Sequence, residues 1–151
     1  MMIYPECEAD TALVKAFGIP RKEVEHSHGK GNVCNRLEKT KNSKGLVDED
    51  PLSAQPTYIG RLKPLLNKHG VKLLLDEKNQ NHLIVLCPRL EDWILNVTKE
   101  VNIDVLKYGL PNDPNRLREA LNIKLDKFKD LIDNIKQKSE MLKTLEEFIK
   151  R

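Results

Sequence analysis

Cysteine is scarce, with only 3 in 151 residues. Cys7, Cys34 and Cys87 stand far apart and none belongs to a Cys-x-x-Cys pair. That odd count and wide spacing argue against a disulfide framework and against a cysteine zinc site, and they fit a reducing, cytoplasmic setting. Long hydrophobic runs are missing too, so no membrane span is expected. The opening Met1-Met2-Ile3-Tyr4-Pro5-Glu6 has no basic start followed by an apolar stretch, and no signal peptide is expected there. Nor is there an excess of charge of one sign. Lys and Arg total 26 against 23 Asp and Glu, a net charge of +3, which is too even for bulk charge to establish nucleic-acid binding. No internal repeat and no low-complexity segment interrupts the chain. What remains is 39% hydrophobic and 32% charged residues, enough for one domain or for a small domain with an appended helical unit.

Apolar runs and punctuation alternate. Met2-Ile3-Tyr4 reads as a short strand, and Leu13, Val14 and Phe17 fall at helical spacing, with Asp10 as a cap and Gly18 as a stop. Val24 to His26 reads as a weaker strand. Gly29-Lys30-Gly31-Asn32 is a turn from which a helix carrying Val33 and Leu37 starts, and Gly45-Leu46-Val47 is a strand that runs into Asp48-Glu49-Asp50-Pro51. Residues 51–57 read as a loop. Ile59, Leu62, Leu65 and Leu66 suggest a helix over 58–68, disturbed by Pro64. Val71 to Leu75 and His82 to Cys87 are strands separated by a polar turn, and the second is a continuous apolar run suited to a strand covered on both faces. Leu90, Trp93, Ile94 and Val97 mark a helix, with Trp93 as a core anchor. Beyond it come three helical stripes rich in Lys and Glu, opened by Asp113-Pro114, by Leu125 and by Ser139. Strands alternating with helices predict an α/β sandwich with a mostly parallel central sheet flanked by helices, plus a C-terminal helical extension. Residues 1–100 form the core of this reading and 101–151 the extension packed on it.

In such sheets functional groups gather beyond the carboxyl ends of the strands. Two acidic sites lie there: Glu6, after the first strand, and Asp48-Glu49-Asp50, after the strand at 45–47. Alternation along a strand lets Asp48 and Asp50 share a face. If the two strands are parallel neighbours, Glu6, Asp48 and Asp50 converge, and their mutual repulsion invites an oxygen-seeking divalent cation such as Mg²⁺.

These segments carry a resemblance. Ile3-Tyr4-Pro5-Glu6-Cys7-Glu8-Ala9-Asp10 looks like the opening of a Toprim domain. Gly29-Lys30-Gly31-Asn32-Val33 looks like the Gly-Lys turn after its second strand, and Gly45-Leu46-Val47-Asp48-Glu49-Asp50-Pro51 resembles its strand ending in Asp-x-Asp. Pro88-Arg89-Leu90-Glu91-Asp92-Trp93 and the helical tail are similar to small stand-alone Toprim-like proteins, distantly similar to overcoming-lysogenization-defect nucleases. The resemblance implies Mg²⁺- or Mn²⁺-dependent phosphodiester chemistry on DNA or RNA. Glu6, Asp48 and Asp50 would serve as metal ligands and catalytic groups, Lys30 with Gly29 and Gly31 as a phosphate contact, and Glu91 as a further acid. Cys7 stands where the family usually has glycine, and Pro51 follows Asp-x-Asp where topoisomerases and primases soon have one. Neither a topoisomerase's tyrosine-bearing domain nor a primase zinc module fits in the remaining residues, and there is no P-loop for the ATPase half of the larger nucleases.

Plainer readings stand beside these. An acidic turn after a strand is commonly just solvated, Asp10 reads more readily as a helix cap, and Glu91 sits early in a helix where the dipole favours acids. His26-Ser27-His28 lacks the further ligands that zinc needs, and Cys7 has no neighbouring base to make it a nucleophile. Two functional expectations follow: a metal-dependent nuclease, or a non-catalytic Toprim-like binding or regulatory subunit serving a partner protein. A third gives the helical tail a structural or dimerising role.

Overall fold

A computed structural model describes residues 1–151. Five strands, β1 (Ile3–Pro5), β2 (Lys44–Asp48), β3 (Lys63–Lys68), β4 (Val71–Asp76) and β5 (Asn81–Leu86), form one sheet in the order β1-β2-β5-β4-β3. Around it lie α1 (Glu8–Ala16), α2 (Lys30–Lys39), the single turn α3 (Thr57–Gly60), α4 (Leu90–Glu100), α5 (Pro114–Leu121), α6 (Leu125–Ile135) and α7 (Glu140–Lys150). The fold is α/β, as expected, but the sheet is mixed rather than mostly parallel. The β1–β2 and β2–β5 pairings are parallel, whereas β5–β4 and β4–β3 are antiparallel. Turns as short as those at 69–70 and 77–80 can close only hairpins, because a parallel crossover needs about a dozen residues.

The helix expected over 58–68 is replaced by α3 and the edge strand β3. Pro64 cannot continue a helix, and an edge strand tolerates it because the missing N–H faces no partner. The weak strand expected at 24–26 shrinks to one parallel bridge from Val24 to Ile3, after which the Ser27 N–H bonds the Pro5 carbonyl. Asp10 does not cap α1. That position belongs to Cys7, whose Sγ accepts from the Asp10 N–H at 3.4 Å.

Residue alternation divides the sheet between two apolar clusters. Ile3, Leu46, Leu73, Ile84 and Leu86 face α1 and α4–α7. Tyr4, Val47, Leu83 and Val85 face α2 and α3. On that second face Gly45 permits a close approach, since a Cβ there would stand 2.6 Å from Val33 Cγ1. The tail shares the first cluster: Leu117, Phe128, Leu131, Leu145 and Ile149 are buried with Leu13 and Trp93 in one continuous core. Trp93 anchors it, with its indole N–H donating to the His69 carbonyl at 2.9 Å. Lys44, buried at the start of β2, donates its ammonium to the carbonyls of Phe148, Ile149 and Arg151 at the end of α7. Asp113 and Ser139 cap α5 and α7 as their sequence contexts predict. No helix is long and apolar enough to cross a membrane.

Candidate metal centre

The carboxyl ends of β1 and β2 are adjacent because the two strands are parallel neighbours in register, Pro5 opposite Leu46. The Glu6 N–H continues that ladder to the Leu46 carbonyl at 2.9 Å. Its side chain then turns across to β2, where Oε1 accepts from the Asp48 N–H at 3.0 Å. The first turn of α1 brings Asp10 back over the same strand ends. One carboxylate oxygen from each of Glu6, Asp10 and Asp48 lies within 4.8 Å of the other two. Opposite ligands of an octahedral Mg²⁺ stand roughly 4.2 Å apart, so small side-chain adjustments suffice to close the trio on a cation.

No salt bridge engages Glu6, Asp10 or Asp48, and the charge of Arg118 only partly offsets burial and mutual repulsion at Asp48. Asp10 is 0% exposed, and neither of its carboxylate oxygens has a hydrogen-bond partner. Asp48 Oδ1 is likewise buried and unpartnered. Burial first, then the charges of Asp48 and Glu6, hold the Asp10 carboxyl well above the usual range. Burial also pushes Asp48 up to about 7, with Glu6 and Glu91 adding to the rise and the Leu90 N–H at the start of α4 opposing it. Buried polar groups are normally satisfied, and a buried carboxylate without a donor is costly. Two such residues facing one another fit a cation ligand set.

The residues expected at the site divide into two groups. Glu6 and Asp48 meet, and Asp10, read from sequence as a cap, joins them. Asp50 does not enter the trio. The alternation that would align it with Asp48 ends with β2, for Asp50 takes a left-handed conformation (φ 42°) and its N–H turns to the Pro88 carbonyl. Glu91 is buried early in α4, with Oε2 unpartnered and its charge felt by both Asp10 and Asp48. Burial raises its carboxyl above the usual range, while Arg118 and Arg89 oppose the rise. Gly29, with φ 122°, is the N-cap of α2, and its N–H bonds the Glu6 carbonyl, so the Gly-Lys turn does lie beside the acids. Lys30 and Gly31 are already helical. The Lys30 ammonium is engaged by the Glu49 carbonyl at 2.9 Å and Gln55 Oε1 at 3.1 Å.

His26 and His28 place their rings 3.9 Å apart near Glu8 but join no group of three metal-ligating side chains. Burial pushes the Cys7 thiol far above its ordinary value, which leaves it unreactive. Sequence reasoning gave no role to Arg118. It lies in α5, and its charge opposes the rise at both Asp48 and Glu91; no spacing in the sequence links it to them. Asp10 did have a legible signal, its position four residues after Glu6.

Comparison with protein-family models, curated proteins and solved structures returned no match in any of the three.

Proposed function

We propose that this chain is a Toprim-like, divalent-metal-dependent nuclease, with Mg²⁺ or Mn²⁺ held by Glu6, Asp10 and Asp48 and a nucleic-acid phosphodiester as substrate. The observation that carries the reading is the convergence of three carboxylates within 4.8 Å at the ends of two parallel strands, with the buried oxygens of Asp10 and Asp48 unpartnered. A bound cation would supply charge neutralisation at the phosphate and a more acidic water. Glu6 is fixed against β2 by its bond from the Asp48 N–H, which sets the distance between the two strand-end ligands. Glu91 is buried beside them, and burial raises its carboxyl above the usual range, which makes it a candidate proton donor or acceptor.

A second reading, a metal-holding module without turnover, draws on the positions of Lys30 and Asp50. The ammonium is occupied by the following loop and the second acid of Asp-x-Asp points out of the trio. Calorimetric titration with Mn²⁺ and a cleavage assay on single- and double-stranded DNA and RNA separate the two. Wild type is expected to bind one Mn²⁺ and to cleave, and Asp48→Ala to lose both. Binding without cleavage favours the module. If wild type and Asp48→Ala behave alike in both measurements, the metal centre is refuted.

A further inference from the structure

Most cations near the ends of β1 and β2 are engaged. Lys30 is held by the Glu49 carbonyl and Gln55, Lys72 by the Glu49 carboxylate, and Arg89 by Asp92 at 2.8 Å. Lys68 sits on β3, three strands away from β2. Arg118 differs, because it is exposed and forms no ion pair. A chain of contacts places it. The Asp50 N–H donates to the Pro88 carbonyl at 2.7 Å, so the start of α4 lies beside the end of β2. From there Arg89 Nη1 donates to Asn115 Oδ1 at 3.1 Å and holds the first turn of α5 against the start of α4. Arg118 follows Asn115 by one helical turn on the same face, and the buried Leu117 and Leu121 fix the helix on the core. Its charge is accordingly felt at both Asp48 and Glu91. Yet it closes on neither, and Asp48 Oδ1 and Glu91 Oε2 stay buried without a partner. A guanidinium serving as their counter-ion would be expected to pair with one of them, since an unpartnered buried carboxyl oxygen is costly.

We propose that Arg118 is the substrate-binding cation of the site, its guanidinium receiving the non-bridging oxygens of the nucleic-acid phosphate that lies over Glu6, Asp10 and Asp48. The inference rests on the nuclease reading and deepens it, because it moves the phosphate contact from Lys30 in the Gly-Lys turn to the helical extension. Three ionised carboxylates outweigh one doubly charged cation, so even a loaded trio would repel a phosphate unless a further positive charge stood beside it. Arginine suits that position. It stays charged at any working pH, and its planar fork matches two phosphate oxygens at once. Lys30 cannot take this part without giving up the bonds that hold the loop after β2. The extension thus completes the site as well as the core.

The test is fluorescence anisotropy in Ca²⁺ with labelled single- and double-stranded DNA and RNA, over a range of salt concentrations, using wild type, Arg118→Gln, Arg118→Lys and Arg116→Gln. Arg116 is the control for bulk charge, since it lies two residues earlier and roughly 200° round the same helix. Mn²⁺ calorimetry and a thermal melt are run on each protein. Arg118→Gln is expected to weaken the tightest-bound nucleic acid by roughly tenfold, the loss of one charge-assisted phosphate contact. It should also flatten the plot of log affinity against log salt by roughly 0.7 to 0.9, one counterion's worth. Its melting temperature should be unchanged, and its Mn²⁺ affinity equal to wild type or higher, because a charge that repels the cation has gone. Arg118→Lys should keep the salt slope and part of the affinity, and Arg116→Gln should bind like wild type. Equal losses in Arg116→Gln and Arg118→Gln, or no loss in Arg118→Gln, overturn the inference while Mn²⁺ binding leaves the metal centre standing. So does a wild type that binds Mn²⁺ and none of the nucleic acids. A lowered melting temperature with Mn²⁺ affinity lost would show that Arg118 is structural, which also overturns it. Absence of Mn²⁺ binding by wild type removes the nuclease reading and the inference together.

Discussion

Replacing Asp10 by asparagine takes a negative charge out of a fully buried position that offers it no donor. If the trio is a ligand set, the two consequences run in opposite directions. Without metal, Asp10→Asn relieves repulsion from Asp48 and Glu6 and should raise the melting temperature at pH 8 by several degrees, a stabilisation of about 1–3 kcal/mol. With metal, it removes a ligand and should weaken Mn²⁺ binding at least tenfold, or about 1.4 kcal/mol. A variant that is destabilised at pH 8 and binds Mn²⁺ normally would show that Asp10 has a hidden partner and no ligand role. The pH dependence follows from the same residues. Asp48 titrates near 7 in the fold and near 4 when unfolded. Between those values the folded state holds the extra proton, so stability is greatest at the acidic end and falls as pH rises from about 4 to about 7. Metal-free protein should therefore be less stable at pH 8 than at pH 5.5 by about 2 kcal/mol, and should melt at a correspondingly lower temperature. Saturating Mn²⁺ should flatten or invert that slope. A flat profile in the metal-free protein would mean that Asp48 is ionised at no cost in the fold.

Elements were legible in the sequence where one period dominated and illegible where two competed. The run 82–87, continuous in apolar residues, became the central strand β5 between β2 and β4, and Asp113-Pro114 and Ser139 marked helix starts by their chemistry. Over 58–68 the spacing of Ile59, Leu62, Leu65 and Leu66 imitates a helix, yet β3 forms because its backbone completes the β4 ladder, a long-range gain that no local window contains. Every residue of β3 is exposed, so burial gives it no alternation to read. Lys63 and Lys68 at its ends and Pro64 within it are the usual guards of an edge strand. The site shows the same division. Glu6 and Asp48 were readable as strand-end acids, whereas the exit of Asp50 depends on one backbone angle and the entry of Asp10 on where α1 begins. Gly45 supplies the check at this scale, because α2 packs onto β2 through the space that it leaves. Gly45→Ala would press a methyl group to 2.6 Å from Val33 and 3.0 Å from both Leu37 and Leu83. It should cost about 1–3 kcal/mol in urea denaturation, with a matching loss if Mn²⁺ binding is read at a temperature near the melting point. A neutral effect would mean that α2 shifts freely on the sheet and does not fix the Gly29–Glu6 contact beside the acids.

For the whole molecule, the helical extension is part of the fold rather than an accessory to it. Phe128, Leu131, Ile132, Ile135, Leu142, Leu145, Phe148 and Ile149 are buried in the cluster that holds Leu13, Ile84 and Trp93. At roughly 1.5–3 kcal/mol for each large apolar side chain removed from water, their contribution exceeds about 10 kcal/mol, comparable with the entire stability of an ordinary domain. Lys44 adds a polar tie, since the ammonium at one end of β2 holds the end of α7 and the carboxylate at the other end stands in the trio. A chain cut after Asn112 is therefore expected to lose cooperative unfolding, to bind a hydrophobic dye and to lose Mn²⁺ affinity, even though Glu6, Asp10 and Asp48 all remain in it. Circular dichroism melting and dye binding on the two lengths of chain decide this. Should the shortened chain melt sharply and keep its metal, residues 1–112 form a self-sufficient unit, and the face that α6 and α7 cover would be free to receive another protein.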